Sequence, residues 1–484
     1  MNTKKKVTNN LIWRLLERFS AQGVTLIVSI ILARILDPEI YGTIALVTVI
    51  TTILQVFVDS GFSTALIQKK DTDEIDFSTV FWFNIVMCSL LYVLLFFFAP
   101  IISKFYKMDI TLIVRVLGIL LLISGVKSIQ ISYVSKTLQF KAFFFSTLGG
   151  TIVAAVVGIF MAFNGYGVWA LVLQNLVNQA IDTIILWIVV KWRPKFTFSF
   201  SRLKELFGFG WKILISSLLD KTYTELRSLI IGKKYSREDL AYYKKADQFP
   251  NLIAVNINSS IDSVLLPVMS SEQDNRENIK KMTRRAIKMS SFILWPLMFG
   301  LAACSTSIIS IVLTDKWLSA VPYMMIFCIT YGFYPIHTAN LNAIKAMGRS
   351  DLFLVLEIIK KVIGISIILI TMWFGVYWIA IGGIISCFAS QIINSWPNRK
   401  LLNYSYKEQM KDMLPSFILS LIMGALVYCV NFFSLSNWMT LLIQISFGAS
   451  IYIFFSWLFR FESFRYCLDS MKHFIKNRRN NSNE

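Results

Sequence analysis

Residues 81–101 read FWFNIVMCSLLYVLLFFFAPI, a run of 21 residues without a charged side chain. A helix needs about 20 mostly apolar residues to cross the hydrocarbon core of a bilayer. The run therefore predicts a membrane-spanning helix. Further apolar stretches at 112–124 and 363–374 indicate that it is one of several.

The composition of the whole chain is that of a membrane protein. Of its 484 residues, 56% are hydrophobic and 16% are charged, whereas a soluble domain carries about 25% charged residues. The net charge of +20 would also suit a nucleic-acid-binding protein. Such a protein needs its basic residues on a solvated domain, and a mean hydropathy of +0.61 leaves little room for one. The composition argues against a soluble enzyme and against a nucleic-acid partner.

Apolar segments of spanning length recur along the chain, and we predict an all-α polytopic membrane protein with about fourteen transmembrane helices. The segments at 210–231 and 241–267 are more polar than the others. The predicted limits are 15–33, 43–63, 79–101, 111–130, 144–163, 167–189, 210–231, 241–267, 290–313, 320–341, 353–373, 376–396, 413–432 and 438–459.

The loops between these segments predict the orientation. Loops on the side of the two termini hold 31 Lys and Arg residues, and the opposite loops hold 7. Because cytoplasmic loops carry the excess of basic residues, we predict that both termini are cytoplasmic.

A weak internal repeat predicts the domain organisation. GVWAL at 167–171 and GVYWIA at 375–380 open the sixth and twelfth segments, about 200 to 210 residues apart. A six-helix unit returns the chain to the same side, so the two lobes are parallel repeats. The predicted domains are 1–190 (N-terminal six-helix lobe), 191–209 (cytoplasmic linker), 210–396 (C-terminal six-helix lobe), 397–459 (two extra helices) and 460–484 (basic cytoplasmic tail).

Ionisable side chains inside the spans are costly and usually face a cavity or a partner. In 210–231 and 241–267 they recur with Ser and Asn at helical spacing. The pattern favours a water-filled cavity, and an interhelical salt-bridge network is the alternative. Lys and Arg in such a cavity suit an anionic substrate such as a phosphate. The candidate substrate-binding cations are Arg18, Lys221, Arg227, Lys244, Lys245 and Lys361.

Acidic residues inside the spans are expected to support these cations or to bind a coupling Na⁺ or H⁺. Spacing of i,i+4 predicts that Glu225 pairs with Lys221 and that Glu357 pairs with Lys361. A second interpretation of the charges in the first span is an anchor at the membrane interface. Lys127, nearer a span end, is expected to snorkel. The candidate acids are Glu17, Asp59, Asp220, Glu225, Asp247, Asp262 and Glu357.

Motifs of enzymes and metal sites are missing from the sequence. It contains no Walker A motif, and His337 and His473 are isolated, which favours a structural or surface position over a ligand role for each. The acidic run 71–76 is interpreted as a solvated turn and a helix cap. We expect no catalytic residue, no metal and no cofactor.

Several segments together resemble the Wzx-type polysaccharide flippases of the multidrug/oligosaccharidyl-lipid/polysaccharide superfamily. The most specific is ARILDPEIYG at 33–42. At 244–245 the chain has Lys-Lys where such proteins often have Asn-Arg, so a cation is kept but a bidentate Arg is lost. The other matching segments are LER at 16–18, VDSGF at 58–62, GVWAL at 167–171, YY at 242–243, ADQ at 246–248 and GRSD at 348–351.

The resemblance implies two six-helix lobes plus two extra helices in a bacterial cytoplasmic (inner) membrane. It implies that an undecaprenyl-pyrophosphate-linked oligosaccharide moves from the cytoplasmic to the outer leaflet by alternating access, for surface polysaccharide biosynthesis. The implied partners are this lipid-linked substrate, the bilayer and a glycosyltransferase or polymerase complex. One rival is a cation-coupled multidrug exporter of the same superfamily, which predicts an acid-dominated cavity. Another is a membrane polymerase or glycosyltransferase, which the short outer loops argue against.

Overall fold

The apolar segments form helices in the computed structural model, which describes residues 3–59, 61–433 and 435–469. Every regular element within these ranges is helical. The predicted basic tail is therefore described only as far as residue 469. Two compact units make up the chain, Met1–Ala241 and Tyr242–Glu484.

The described part of the N-terminal unit contains eight helices and the first turn of a ninth. Its core packs α4 on α5, α6 on α7 and α1 on α6. The helices are α1 (Thr3–Ile35), α2 (Pro38–Asp59), α3 (Phe62–Gln68), α4 (Glu74–Tyr106), α5 (Thr111–Thr137), α6 (Lys141–Phe163), α7 (Val168–Val189) and α8 (Phe200–Lys234).

The C-terminal unit is built around α10, which packs against α12, α13 and α16. A 3₁₀ turn at Asp315–Ala320 precedes α12, another at Val430–Phe433 follows α16, and a short helix covers 462–469. The α-helices are α9 (Arg237–Ser271), α10 (Arg276–Ala303), α11 (Ser305–Leu313), α12 (Val321–Gly332), α13 (Tyr334–Ala346), α14 (Ser350–Thr371), α15 (Val376–Leu401), α16 (Tyr406–Cys429) and α17 (Asn437–Leu458).

Most of the length of the fourteen predicted spans is helical in the described residues, and the all-α polytopic fold is confirmed. Among the residues that the structure describes, twelve helical segments are long and apolar enough to cross a membrane. The other two long helices, α8 and α14, carry the charges noted above and fall outside these twelve, so the count of fourteen stays a prediction. The span predicted at 320–341 is broken between α12 and α13, where Pro335 lies in the first turn of α13. Proline is accepted in a first turn but not in a helix interior.

The position of α8 differs from the predicted lobes. It packs on α2, α3 and α4 and belongs to the N-terminal unit. Leu203 and Leu206 are buried in the same apolar cluster as Phe62 and Leu66. A Cβ on Gly210 would lie 3.0 Å from the carbonyl carbon of Gly61, so the two backbones touch. The structural boundary therefore falls at residue 241 rather than in 191–209, and the functional division into lobes stays a prediction.

A buried network of amides joins three helices of the C-terminal unit. The Asn340 Nδ2 of α13 donates to Gln409 Oε1 of α16 at 2.7 Å. The Asn398 Nδ2 of α15 donates to Asn340 Oδ1 at 2.6 Å. All three side chains are inaccessible to solvent. Because buried polar groups are costly unless they are hydrogen-bonded to one another, the network fixes α16 against the helices before it.

The acidic run before α4 forms a helix cap, as predicted. Asp73 caps α4, and its carboxylate and that of Asp76 make a reciprocal capping box. The hydrogen bond that Asp73 accepts from the backbone N–H of Asp76 lowers the pKa of Asp73. The expectation that the run is solvated is wrong for Asp76, which is fully buried and bound by Lys69 at 3.2 Å and Arg202 at 3.3 Å. The ends of α3, α4 and α8 meet at this carboxylate.

Replacing Asp76 tests this junction. We expect Asp76→Asn to lower the free energy of unfolding by about 1–3 kcal/mol, because it removes a charge that two cations share in a buried position. The measurement is thermal unfolding of the purified chain in detergent. Asp71→Asn makes the same change of charge at an exposed side chain five residues away and should unfold like the wild type. Equal unfolding temperatures for the two variants would contradict the assignment.

The turn at 33–42 holds α2 against the start of α9. Pro38 opens α2, where its missing N–H costs nothing. Glu39 pairs with Arg237 at 2.9 Å. A Cβ on Gly42 would lie 1.8 Å from the backbone oxygen of Arg237. Only glycine fits at position 42, which gives the most specific motif of the sequence a physical reason.

Gly42→Ala is therefore expected to destabilise the chain by about 1–3 kcal/mol, since backbone must move to admit the methyl group. The matched control is Gly23→Ala, because a Cβ on Gly23 meets no atom within 4 Å. In a helix, the control should be neutral or stabilising by up to about 1 kcal/mol. Thermal unfolding of both purified variants measures the difference. A Gly42→Ala variant as stable as the control would contradict the proposed steric requirement for glycine at position 42.

Candidate functional site

One polar face of α8 carries two of the candidate cations. Lys221 Nζ lies 3.3 Å from Glu225 Oε1, so the predicted i,i+4 pair is present. Ser228 Oγ donates to the other oxygen of Glu225 at 3.3 Å. The Arg227 Nε is buried and has no hydrogen-bond partner among the residues that the structure describes. Asp220, on the same helix, is exposed.

The candidate residues of α9 pack against α12 and the 3₁₀ turn before it. Lys245 is buried, and its Nζ lies 5.8 Å from the centre of the Trp317 ring, within reach of a cation–π interaction. Asp247 accepts a hydrogen bond from the Tyr331 hydroxyl at 2.7 Å. Lys244 is half-buried. These contacts hold the α9 charges in fixed positions within the C-terminal unit.

The remaining candidates are spread over four helices. Glu17 and Arg18 of α1 are half-buried, and Lys361 of α14 is half-buried as well. At the end of α2, Asp59 is exposed, as is Asp262 of α9.

The acid of α14 binds a lysine that the sequence analysis did not pair with it. Glu357 Oε1 lies 2.5 Å from Lys360 Nζ, at i,i+3. Residues three and four apart are both neighbours on a helix, so spacing alone could not decide between Lys360 and Lys361.

A buried ion pair that the sequence analysis missed lies in the N-terminal unit. Lys127 Nζ of α5 and Asp182 Oδ2 of α7 are 2.5 Å apart, and their side chains are 14% and 9% exposed. The expectation that Lys127 snorkels is wrong. That expectation considered only the distance of Lys127 from its span end, whereas the carboxylate that binds it comes from another helix. The available signal was an opposite charge in a second span.

A short polar network continues from this ion pair. Ser124, one turn before Lys127, accepts hydrogen bonds from Gln55 Nε2 at 3.2 Å and from Gln179 Nε2 at 3.1 Å. Gln179 lies one turn before Asp182 on α7. Thus α2, α5 and α7 are joined by polar contacts in the interior of the unit.

An uncharged cavity of about 200 Å³ lies between α1, α2, α6 and α7. Hydroxyl and amide groups make up much of its lining, and such groups both donate and accept hydrogen bonds. The search for intramembrane charges could not find it, because its polar residues are neutral and come from separate spans. The polar lining residues are Thr25, Ser29, Tyr41, Thr151, Gln174, Asn175 and Asn178.

His337 of α13, the histidine within the described residues, contacts two side chains of α15. One ring nitrogen of His337 lies 3.4 Å from the Cys387 sulfur, and the other lies 3.0 Å from Asn394 Nδ2. His473 lies outside the described residues. Within 3–59, 61–433 and 435–469, no three His, Cys, Asp or Glu side chains lie together in a way that could hold a metal ion.

Comparison with known proteins now decides the family. Residues 31–322 match the model of a family described as polysaccharide biosynthesis protein. The chain belongs to this family. The resemblance to polysaccharide flippases that the sequence suggested is confirmed at this level, and ARILDPEIYG at 33–42 lies at the start of the match.

Curated relatives of this family member match over most of their length. The teichuronic acid biosynthesis protein TuaB of Bacillus subtilis is 26% identical over 412 residues, covering 84% of this chain and 85% of TuaB. The succinoglycan biosynthesis transport protein ExoT of Rhizobium meliloti is 22% identical, covering 74% of this chain and 73% of ExoT. The lipopolysaccharide biosynthesis protein WzxC of Escherichia coli is 22% identical, covering 87% of each chain.

Solved structures confirm the fold. The lipid II flippase MurJ in an inward closed conformation superposes with a TM-score of 0.77 at 18% identity, covering 93% of this chain and 98% of MurJ. An inward-facing multidrug resistance MATE family transporter gives 0.61 at 16% identity, covering 78% of this chain and 94% of the transporter. The family member therefore shares its fold with these two proteins.

The Lys127–Asp182 pair gives a prediction about stability. We expect Lys127→Met to lower the free energy of unfolding by about 3–5 kcal/mol, because it leaves the Asp182 carboxylate buried without its cation. Adding Asp182→Asn removes the remaining charge and should recover most of the loss. Thermal unfolding of the wild type, both single variants and the double variant in detergent measures the coupling. Additive effects of the two substitutions would contradict the pairing.

Proposed function

We propose that this chain is a transporter, not an enzyme, that moves a lipid-linked oligosaccharide from the cytoplasmic to the outer leaflet by alternating access. The observation that carries the proposal is the polar face of α8, which places Lys221 and Arg227 on a helix of a chain that belongs to a polysaccharide biosynthesis family. Its relative ExoT is named as a transport protein.

The α8 face suits the pyrophosphate of such a substrate. The Lys221 side chain is 33% exposed and is held by Glu225, so its position is fixed while part of the side chain remains accessible. Arg227 has a buried Nε without a hydrogen-bond partner in the described chain, and an arginine binds phosphate oxygens through such N–H groups. We assign Arg18, Lys244, Lys245 and Lys361 to the same role.

The acids have a supporting role in this proposal. Glu225 and Asp247 orient groups beside the cations. Asp59, Asp220 and Asp262 are exposed and are candidates for a coupling Na⁺ or H⁺. Glu17 and Glu357 complete the proposed set.

The uncharged cavity in the N-terminal unit suits the sugar part. A sugar presents neutral hydroxyl groups, and Tyr41, Gln174 and Asn175 present neutral donors and acceptors. A volume of about 200 Å³ limits the cavity to a small portion of an oligosaccharide. Different residues would then bind the charged pyrophosphate and the neutral sugar.

The protein is a multi-pass membrane protein, and we propose that it resides in a bacterial cytoplasmic membrane with both termini in the cytoplasm. The excess of Lys and Arg in alternate loops supports this orientation. A complex with a glycosyltransferase or polymerase remains part of the proposal.

Neutralising the cations of the N-terminal unit tests the proposed function. We expect Arg18→Gln/Lys221→Gln/Arg227→Gln to reduce surface polysaccharide at least about tenfold in a deletion strain, since each lost phosphate contact contributes ~1 kcal/mol or more. Surface polysaccharide is measured at matched protein levels, together with the accumulation of lipid-linked sugar in each leaflet. The control is Arg399→Gln/Lys400→Gln/Lys411→Gln, three exposed cations of the C-terminal unit.

Unchanged polysaccharide in the first triple variant would refute the site. A deletion strain with normal polysaccharide and increased drug susceptibility would instead identify a multidrug exporter. Polymer formation by the purified chain would identify an enzyme.

A further inference from the structure

A basic groove opens in the C-terminal unit between the first turns of α10 and the helix over 462–469. Its volume is about 570 Å³. Its lining holds four cations and one acid, Glu462, and the balance is still positive when the ion-pair partners Glu277 and Asp412 are counted. The lining residues are Lys281, Arg284, Arg285, Lys288, Met289, Glu462, Ser463 and Tyr466.

Two of the four cations are fixed by a buried carboxylate. Arg284 Nε lies 2.8 Å from Asp412 Oδ2, and the Asp412 side chain is 4% exposed. Lys288 lies 3.8 Å from Asp412 and 2.8 Å from Glu462. The Tyr404 hydroxyl donates to Asp412 at 2.8 Å. Asp412 therefore holds this wall of the groove in place, and Arg284 and Lys288 are needed for packing.

The other two cations face outward. Lys281 is 70% exposed, and its partner Glu277 is 74% exposed, so the pair is weak and readily exchanged. The Arg285 guanidinium carbon lies 3.9 Å from the centre of the Tyr466 ring. That contact uses the face of the guanidinium group, and an anion would bind at its N–H edge. Lys281 and Arg285 can therefore both reach an anion in the groove.

The groove lies where charged sequence gives way to apolar sequence. On α10 the last cation is Lys288, and residues 289–303 are apolar or small and uncharged. The other wall follows the end of α17 at Leu458. Trp457 and Phe459, at that end, are 63% and 62% exposed. Exposed aromatic residues at the end of a spanning helix mark the headgroup level of a bilayer.

We propose that this groove binds the phosphate of an anionic membrane phospholipid, as a site separate from the transported substrate. Basic pockets between spanning helices at the cytoplasmic face recognise such headgroups. Lys281 and Arg285 contact the phosphate, Arg284 and Lys288 add positive potential, and the acyl chains lie along the apolar side chains beside Met289. A free phosphate would gain nothing from the apolar edge of the groove, which is why the proposal commits to a lipid. The site goes beyond the proposed transport function.

Native mass spectrometry of the full chain, with added phosphatidylglycerol or phosphatidylcholine, tests the proposal. We expect Lys281→Gln/Arg285→Gln to weaken phosphatidylglycerol binding roughly tenfold or more, at about 1 kcal/mol for each cation lost near a membrane surface. Phosphatidylcholine binding should not change. The matched control is Arg399→Gln/Lys400→Gln, which removes one exposed Arg and one exposed Lys from the end of α15. It should bind phosphatidylglycerol like the wild type.

A second variant, Lys281→Glu, alters a single exposed side chain and should weaken binding without affecting thermal unfolding. Phosphatidylglycerol binding that is unchanged in both variants, or that falls equally in the control, would overturn the proposal. Competition experiments with inorganic phosphate and pyrophosphate separate a lipid site from a soluble-phosphate site. Displacement of the lipid by either anion at millimolar concentration would also overturn it.

Discussion

The membrane interior offers no water to a polar group, and the rest of the structure follows from that constraint. Backbone groups must be paired within a segment, which leaves helices as the available spanning element for this chain. A charge must find a partner, a cavity or the interface. The helices pair the backbone groups, and the positions of the ionisable side chains give the charges a partner, a cavity or the interface.

Three carboxylates show how partners are supplied between helices. Asp182 binds Lys127 across α5 and α7, Asp76 joins the ends of α3, α4 and α8, and Asp412 fixes the start of α10 to α16. Each carboxylate is nearly or fully buried and is paired with at least one cation from another element. In Asp182 only Oδ2 is bound, and Oδ1 is buried without a hydrogen-bond partner in the described chain. These residues hold helices together, so an intramembrane or buried charge in this chain is not in itself a sign of a binding site.

The charges proposed to act on ligands differ in their surroundings. Lys221 keeps a third of its side chain exposed although Glu225 holds it, and Arg227 has an unsatisfied Nε in the described chain. Lys281 and Arg285 stand at the open side of a groove whose other wall is already fixed. A cation that one protein contact holds in place, and whose side chain is still partly exposed, is suited to ligand binding. The conformational entropy of its side chain is lost on folding and not when the ligand binds.

The sequence by itself determined the all-α membrane fold, since a run such as 81–101 has no other stable state in a bilayer. It also predicted a helix cap within the acidic run 71–76 and the Lys221–Glu225 pair, because local spacing governs both. Only the tertiary structure decided which helices meet. That decision gave Lys127 its partner Asp182, placed α8 in the N-terminal unit, and formed both the uncharged cavity and the α10 groove. The physical reason is that these features depend on contacts between residues distant in the chain. Helical periodicity indicates which face of a helix is apolar or polar, but not which other helix packs against that face.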